Sequence, residues 1–207
     1  AYYGRCIGRG LHLYTDLWDS KPPALFLFYA LAERVADVAH AAWLLDTLAS
    51  GAFAFLAYKL ARRAGPVAGV TAAALGVFLP AVPALGGPLL AGQAEVLSAP
   101  LLLAAVLFAA RPGWRAGAWA GALLGLAVSL KLASLVFVPL LLIFAPRAER
   151  SCRRRALATL AGLGLVPGAC TVYIAWQGGF SAALEAILAY PRAYAAVVQR
   201  RMQLLPA

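Results

Sequence analysis

Gly10-Leu-His-Leu-Tyr-Thr-Asp-Leu-Trp-Asp-Ser-Lys-Pro-Pro23 crowds two carboxylates (Asp16, Asp19), a lysine (Lys21), two aromatics (Tyr14, Trp18) and a Pro-Pro stop into one short run. The remainder of the chain is mostly hydrocarbon-soluble, and that contrast decides the fold. The chain is 63% hydrophobic and 13% charged, against roughly 25% charged in an average soluble domain. Its mean hydropathy is +0.80, and several apolar runs approach the ~20 residues that cross the hydrocarbon of a bilayer. The reading is an integral membrane protein. The net charge of +10 sits in short loops between apolar runs, which is the positive-inside pattern and argues against nucleic-acid binding. Residues 1–21 carry no apolar run like that of a signal peptide. Cys6, Cys152 and Cys170 fall at unrelated spacings, and read as small apolar fillers, not as disulfides or metal ligands.

Working outward, Pro22 and Pro23 start a helix, since proline suits the first turn. Glu33 and Arg34 come too soon for it to cross, and Glu33 and Asp37 share a face, so it reads as an amphipathic helix lying at the interface. Spans are expected over Val38–Leu60, closed by Lys59, Arg62 and Arg63, and over Pro66–Leu85, broken by Pro80, Pro83 and Gly86-Gly87-Pro88. A third ends at Ala110 and starts near Ala91, which puts Glu95 in its first turn. Residues 116–145 would make ~45 Å of helix, too long for one upright crossing. Both ends of that run are basic, so it should go out and return, turning at Lys131 between Ser129 and Ser134. A last span covers Ala156–Trp176 and stops at Gly178-Gly179.

The expected fold is therefore all-α and polytopic: about six transmembrane helices with outer-face interfacial helices. Residues 1–207 form one domain, with an outer loop and interfacial helix (1–37), a transmembrane bundle (38–176) and an outer amphipathic segment (177–207). The count places Lys59, Arg62, Arg63, Arg111, Arg115, Arg147, Arg150 and Arg153 to Arg155 inside, with Glu149 their only acid. Asp16, Asp19, Lys21, Glu95 and Lys131 all fall outside, although they are scattered along the chain.

Each of these has a plain alternative. Asp16 and Asp19 can form an Asx-type turn in a solvated loop, or place a carboxylate by a hydroxyl. Lys21 can pair locally or meet a phosphate oxygen. Tyr14 and Trp18 can stack on a sugar or anchor at the headgroups. Glu95 suits a helix N-terminus, where negative charge is favoured. Lys131 is costly between apolar arms unless it snorkels or finds an anion. Asp46, inside the first span, could pair with a neighbouring helix or serve function. Gly117, Gly121 and Gly125, and likewise Gly164 and Gly168, recur every fourth residue and read as close-packing surfaces.

Tyr14-Thr-Asp-Leu-Trp-Asp-Ser-Lys-Pro-Pro23, preceded by Ala1-Tyr-Tyr-Gly-Arg5 and followed by Ala24-Leu-Phe-Leu-Phe-Tyr-Ala30, resembles the first outer loop of the polyprenyl-phosphate-sugar-dependent membrane glycosyltransferases. These are the protein O-mannosyltransferase and aminoarabinose-transferase relatives of the GT-C superfamily. Leu60-Ala-Arg-Arg63, Gln93-Ala-Glu95 and the glycine-rich run from Ala120 to Lys131 are weaker likenesses, and together they cover essentially the whole chain. The resemblance implies that Lys21 contacts the lipid phosphate, with Asp16 and Asp19 supporting the loop or the acceptor. It also implies an acidic base just before the position of Ala1, and hence a fragment lacking N-terminal and C-terminal parts.

The function expected is an inverting transferase moving a sugar from a polyprenyl-phosphate donor to a lipid, glycan or protein hydroxyl at the outer face, set in a bacterial inner membrane with its active face periplasmic. Candidate catalytic residues are Asp16 and Asp19; candidate substrate-binding residues are Lys21, Tyr14, Trp18, Arg5, Glu95 and Lys131. Partners are membrane lipids, the lipid-linked donor and the acceptor, with no nucleic acid. No His/Asp/Glu group has ligand spacing, so no metal is expected. The competing class is a transporter or lipid flippase without chemistry; it would want midplane charges and an internal repeat, and only Asp46 answers.

Overall fold

A computed structural model describes residues 2–34, 38–78, 93–144 and 152–203. The expected break at Pro80, Pro83 and Gly86-Gly87-Pro88, the start near Ala91, Asp37 on the first helix's face, and Arg147, Glu149 and Arg150 lie outside those residues. The described chain is helical, with no strand among the described residues and one isolated bridge between Leu13 and Leu17.

The elements are α1 (Tyr2–Gly8), α2 (Pro23–Ala32), α3 (Val38–Ala61), α4 (Pro66–Phe78), α5 (Ala94–Ala109), α6 (Trp114–Leu130), α7 (Val138–Ile143), α8 (Cys152–Trp176), α9 (Phe180–Leu184) and α10 (Tyr190–Gln203). A tight 3-10 stretch, Leu132–Phe137, joins α6 to α7, and a π-turn, Glu185–Ala189, joins α9 to α10. Two helical stretches, Ala42–Ala64 and Cys152–Trp176, are long and apolar enough to cross a membrane; Pro66–Val77, Ala94–Ala109 and Leu132–Leu141 are apolar but shorter. An all-α chain carrying such helices is what the structure gives, and the count of about six crossings stays an expectation.

The long run of residues 116–145 does break where charge demands. α6 stops at Leu130, Lys131 adopts an extended backbone, and the 3-10 stretch leads back along the hairpin. Leu141 of α7 packs with Ala105, Ala109 and Leu124, deep along α5 and α6, so the chain returns toward the end it came from.

α2 departs from the expected interfacial helix. Phe26 is buried with Cys6, Leu13 and Ile174, while Leu25 and Tyr29 are buried with Leu97, Leu130 and Cys170. Gripped from two sides, α2 is part of the bundle's end. The reason is composition: it is apolar nearly all round, so burying one face alone would leave the other to water. A Cβ on Gly4 would lie 2.7 Å from the Tyr29 carbonyl carbon, so α1 and α2 touch backbone to backbone.

The glycine reading is half right. α6 packs most extensively on α8, and its Gly117, Gly121 and Gly125 form the seam: a Cβ on Gly121 would collide with the Thr159 carbonyl oxygen, and one on Gly125 with that of Leu163. Pro167, within α8, has no N–H to offer Leu163 four residues back. That carbonyl therefore faces Gly125 instead, a setting for Cα–H···O contact. Gly164 and Gly168, however, meet nothing within 4 Å. The reciprocal glycine is Gly162, set against Ala118 and Ala122. A helix turns 3.6 residues per turn, so Gly164 lies well off the stripe that Gly162 and Thr159 share.

Candidate active site at the loop end of the bundle

The bundle has two unlike ends. At one, Lys59, Arg62 and Arg63 close α3 near Arg111, and buried Arg155 of α8 donates to the carbonyls of Ala109 (Nη2) and Arg111 (Nη1, 2.7 Å), capping α5. At the other lie the start of α5, the end of α6 and the end of α8, over which residues 9–22 fold.

That loop is built from its own polar groups. The Asp16 carboxylate accepts the His12 backbone N–H (2.8 Å), and the Asp19 carboxylate accepts the Lys21 N–H (3.0 Å). Tyr14 takes a left-handed backbone conformation (φ 73°), costly for a bulky residue. Its N–H reaches the Leu17 carbonyl (2.7 Å) and its hydroxyl donates to the Lys21 carbonyl (2.7 Å), so the turn is tied at both ends. Tyr14 is only 2% exposed. Burial, and then the charge of Asp19, push its phenol well above the ordinary value. The Tyr3 hydroxyl donates to the Trp18 carbonyl (2.8 Å), and the Leu13 carbonyl rests 3.1 Å from where a Gly179 Cβ would be, seating the loop on α8's end.

Glu95 and Lys131 form an ion pair, bridging the first turn of α5 and the residue that ends α6. Lys21 is followed by Pro22, which shares a cavity wall with Ser129 and Leu132, the near neighbours of Lys131. Thus Lys21, Glu95 and Lys131, from three separate stretches of sequence, share one neighbourhood. Arg5 is held elsewhere: its Nε donates to Glu33 (2.8 Å), linking α1 to the end of α2. Asp16 is exposed on the loop.

Beside the two lysines opens an apolar cavity of about 210 Å³. Pro22 and Pro23, just after Lys21, form part of its wall; so do Ser129 and Leu132, on either side of Lys131; Ile174 and Leu188 close it. Its polar lining is slight: the Tyr14 hydroxyl is turned to Lys21, Ser129 Oγ donates to the Gly125 carbonyl and Thr171 Oγ1 to that of Pro167. No His/Cys/Asp/Glu group able to hold a metal occurs among the described residues.

A model of glycosyltransferase family 87 matches residues 21–203. The chain belongs to glycosyltransferase family 87. The match starts at Lys21, so this family 87 chain has Lys21, Glu95 and Lys131 within the shared region and Asp16, Asp19, Tyr14, Trp18 and Arg5 before it. It is a transferase of sugars and a membrane protein, in keeping with its apolar helices. No curated protein and no solved structure matches it.

The sequence reading missed one part of this end. Tyr190 of α10 meets the half-exposed Trp18 edge-on (centroids 4.8 Å apart), and Tyr194 stacks on Tyr190 (6.1 Å). The i, i+4 spacing of Tyr190 and Tyr194 was visible; their pairing with a residue so far away in sequence was not.

Proposed function

We propose that the chain transfers a sugar from a polyprenyl-phosphate donor to a hydroxyl acceptor, with inversion, at the loop end of the bundle. The observation that carries this reading is an apolar cavity whose wall includes Pro22 and Pro23, just after Lys21, and Ser129 and Leu132, on either side of Lys131. Such a site suits a molecule that is hydrocarbon on one side and phosphate on the other. Isoprene units enter the cavity beside Pro22, Pro23 and Leu188, and the phosphate lies against the two ammonium groups. The acceptor oxygen then forms a bond to the anomeric carbon as the bond from that carbon to the phosphate oxygen breaks. The acceptor proton goes to a carboxylate, and the departing phosphate keeps the electron pair under the lysines' charge. Glu95 holds Lys131 in place before the donor arrives. Asp16 and Asp19 are the candidate bases, but each has an oxygen engaged in the loop, and loop support is the role their hydrogen bonds favour. Trp18, with Tyr190 and Tyr194 behind it, offers a face for a sugar ring.

The likeness to the O-mannosyl and aminoarabinose transferases supports the polyprenyl donor, and the positive-inside rule supports an outer, periplasmic face. In the full-length protein, Lys21→Ala should lower transfer from a polyprenyl-phosphate sugar in proteoliposomes by roughly 10²-fold or more, the scale of losing one charge-stabilising donor. Near-normal turnover would remove Lys21 from the reaction.

A further inference from the structure

At the opposite end, α3 and α5 part around a second cavity, of about 230 Å³, lined by Lys59, Arg62, Arg63 and Arg111 and by the apolar walls of Phe55, Leu56, Ala104, Leu107 and Phe108. Four cations converge there with no acid in the lining. None is paired with a carboxylate among the described residues. Three of them rest on rings: Lys59 on Phe55 (5.4 Å), Arg62 on Tyr58 (6.0 Å) and Arg111 on Phe108 (4.9 Å). Each ring lies three or four residues earlier in the chain, so these contacts fix the side chains along the helix surface while their N–H donors can still meet oxygen acceptors. Below the cations the walls are hydrocarbon, and the cations sit at the C-terminal ends of α3 and α5, whose dipoles add negative charge that they offset.

We propose that this cavity binds the headgroup of an anionic phospholipid of the leaflet at the basic end, its phosphate on Arg62, Arg63 and Arg111 and the start of an acyl chain against Leu56 and Leu107. Charge complementarity selects the anion, and the apolar floor selects a lipid over a free phosphate. Basic pockets between transmembrane helices are suited to such headgroups.

The test is native mass spectrometry of the full chain, released from dodecylmaltoside micelles after titration with phosphatidylglycerol, phosphatidylcholine or inorganic phosphate. One tightly retained phosphatidylglycerol per chain is expected, with phosphatidylcholine and inorganic phosphate lost at the same activation energy. Arg62→Gln and Arg111→Gln should each weaken retention about fivefold, whereas Arg9→Gln, at the other end, should leave it unchanged. Should a variant unfold, Lys59→Gln, exposed on the cavity rim, provides an independent reading of the same loss. Equal retention of phosphatidylcholine, or of phosphatidylglycerol by all the cavity variants, would overturn the site. Equal retention of inorganic phosphate would overturn the lipid as its occupant.

Discussion

At the scale of single residues, Tyr14 shows how the loop's polar groups are divided between holding and acting. Its hydroxyl is spent on the Lys21 carbonyl, and its backbone is bent into a conformation few tyrosines adopt. Tyr14→Phe should cost about 1 kcal/mol of stability, the typical net worth of one hydrogen bond, read as a lowered melting temperature in detergent. The pH dependence has a fixed sign. Burial and the Asp19 charge raise the phenol's pKa, so the folded state holds that proton more tightly than the unfolded chain. The resulting stability is complete below about pH 10 and is lost as the pH rises beyond it. Tyr14→Phe should therefore melt with a shallower decline above pH 10 than the parent; parallel declines would mean that Tyr14 does not carry the effect. Sequence made the loop's polar composition legible and left its division of labour open. Asx turns involving Asp16 and Asp19 were foreseeable from residue type. The fate of Arg5 was not, since an exposed Arg5–Glu33 pair depends on how α1 lies on α2.

Among the elements, the α6–α8 seam is the closest approach, and it makes a graded prediction. Gly121→Ala forces a methyl into the Thr159 carbonyl and should destabilise the bundle by about 1–3 kcal/mol, the usual range for overpacking. Gly164→Ala, with open space around it, should be neutral or gain a few tenths of a kcal/mol in helix propensity. Thermal unfolding of both in the same detergent settles the matter, and equal losses would contradict the seam. Helix limits were readable because hydrophobic length and charge act locally: α3 and α8 begin and end within a few residues of expectation, and the turn falls at Lys131. Which glycine of α8 faces α6 was not readable. Two four-residue glycine series look alike in sequence, and only the rotation of α8 about its axis separates them. The burial of α2 between two clusters escaped notice for a related reason, because an all-round apolar helix carries no directional pattern.

For the molecule as a whole, the two-ended charge distribution predicts which side each end faces. Cys152, exposed at the start of α8, is a native reporter of the basic end, and Cys6 and Cys170 are buried. A membrane-impermeant maleimide should label Cys152 only from the cytoplasmic side. In a Cys152→Ser background, Ser20→Cys should be labelled only from the opposite side. Labelling of both from one side would contradict the two-ended arrangement. The sequence expectation that Lys21, Glu95 and Lys131 share one leaflet rests on the same sorting: loops carrying them fall on one side whenever the basic loops keep to the other.

The arginine that caps α5 has a temporal consequence. Arg155 lies 44 positions beyond Arg111, to whose carbonyl it donates, so the turn between α5 and α6 is synthesised before its clamp exists. Until α8 is synthesised, the carbonyls of Ala109 and Arg111 must be satisfied by water, which keeps that turn at the aqueous boundary during insertion. A released chain truncated ahead of Arg155 should show its hairpin turn open to protease, and one that includes α8 should show it closed.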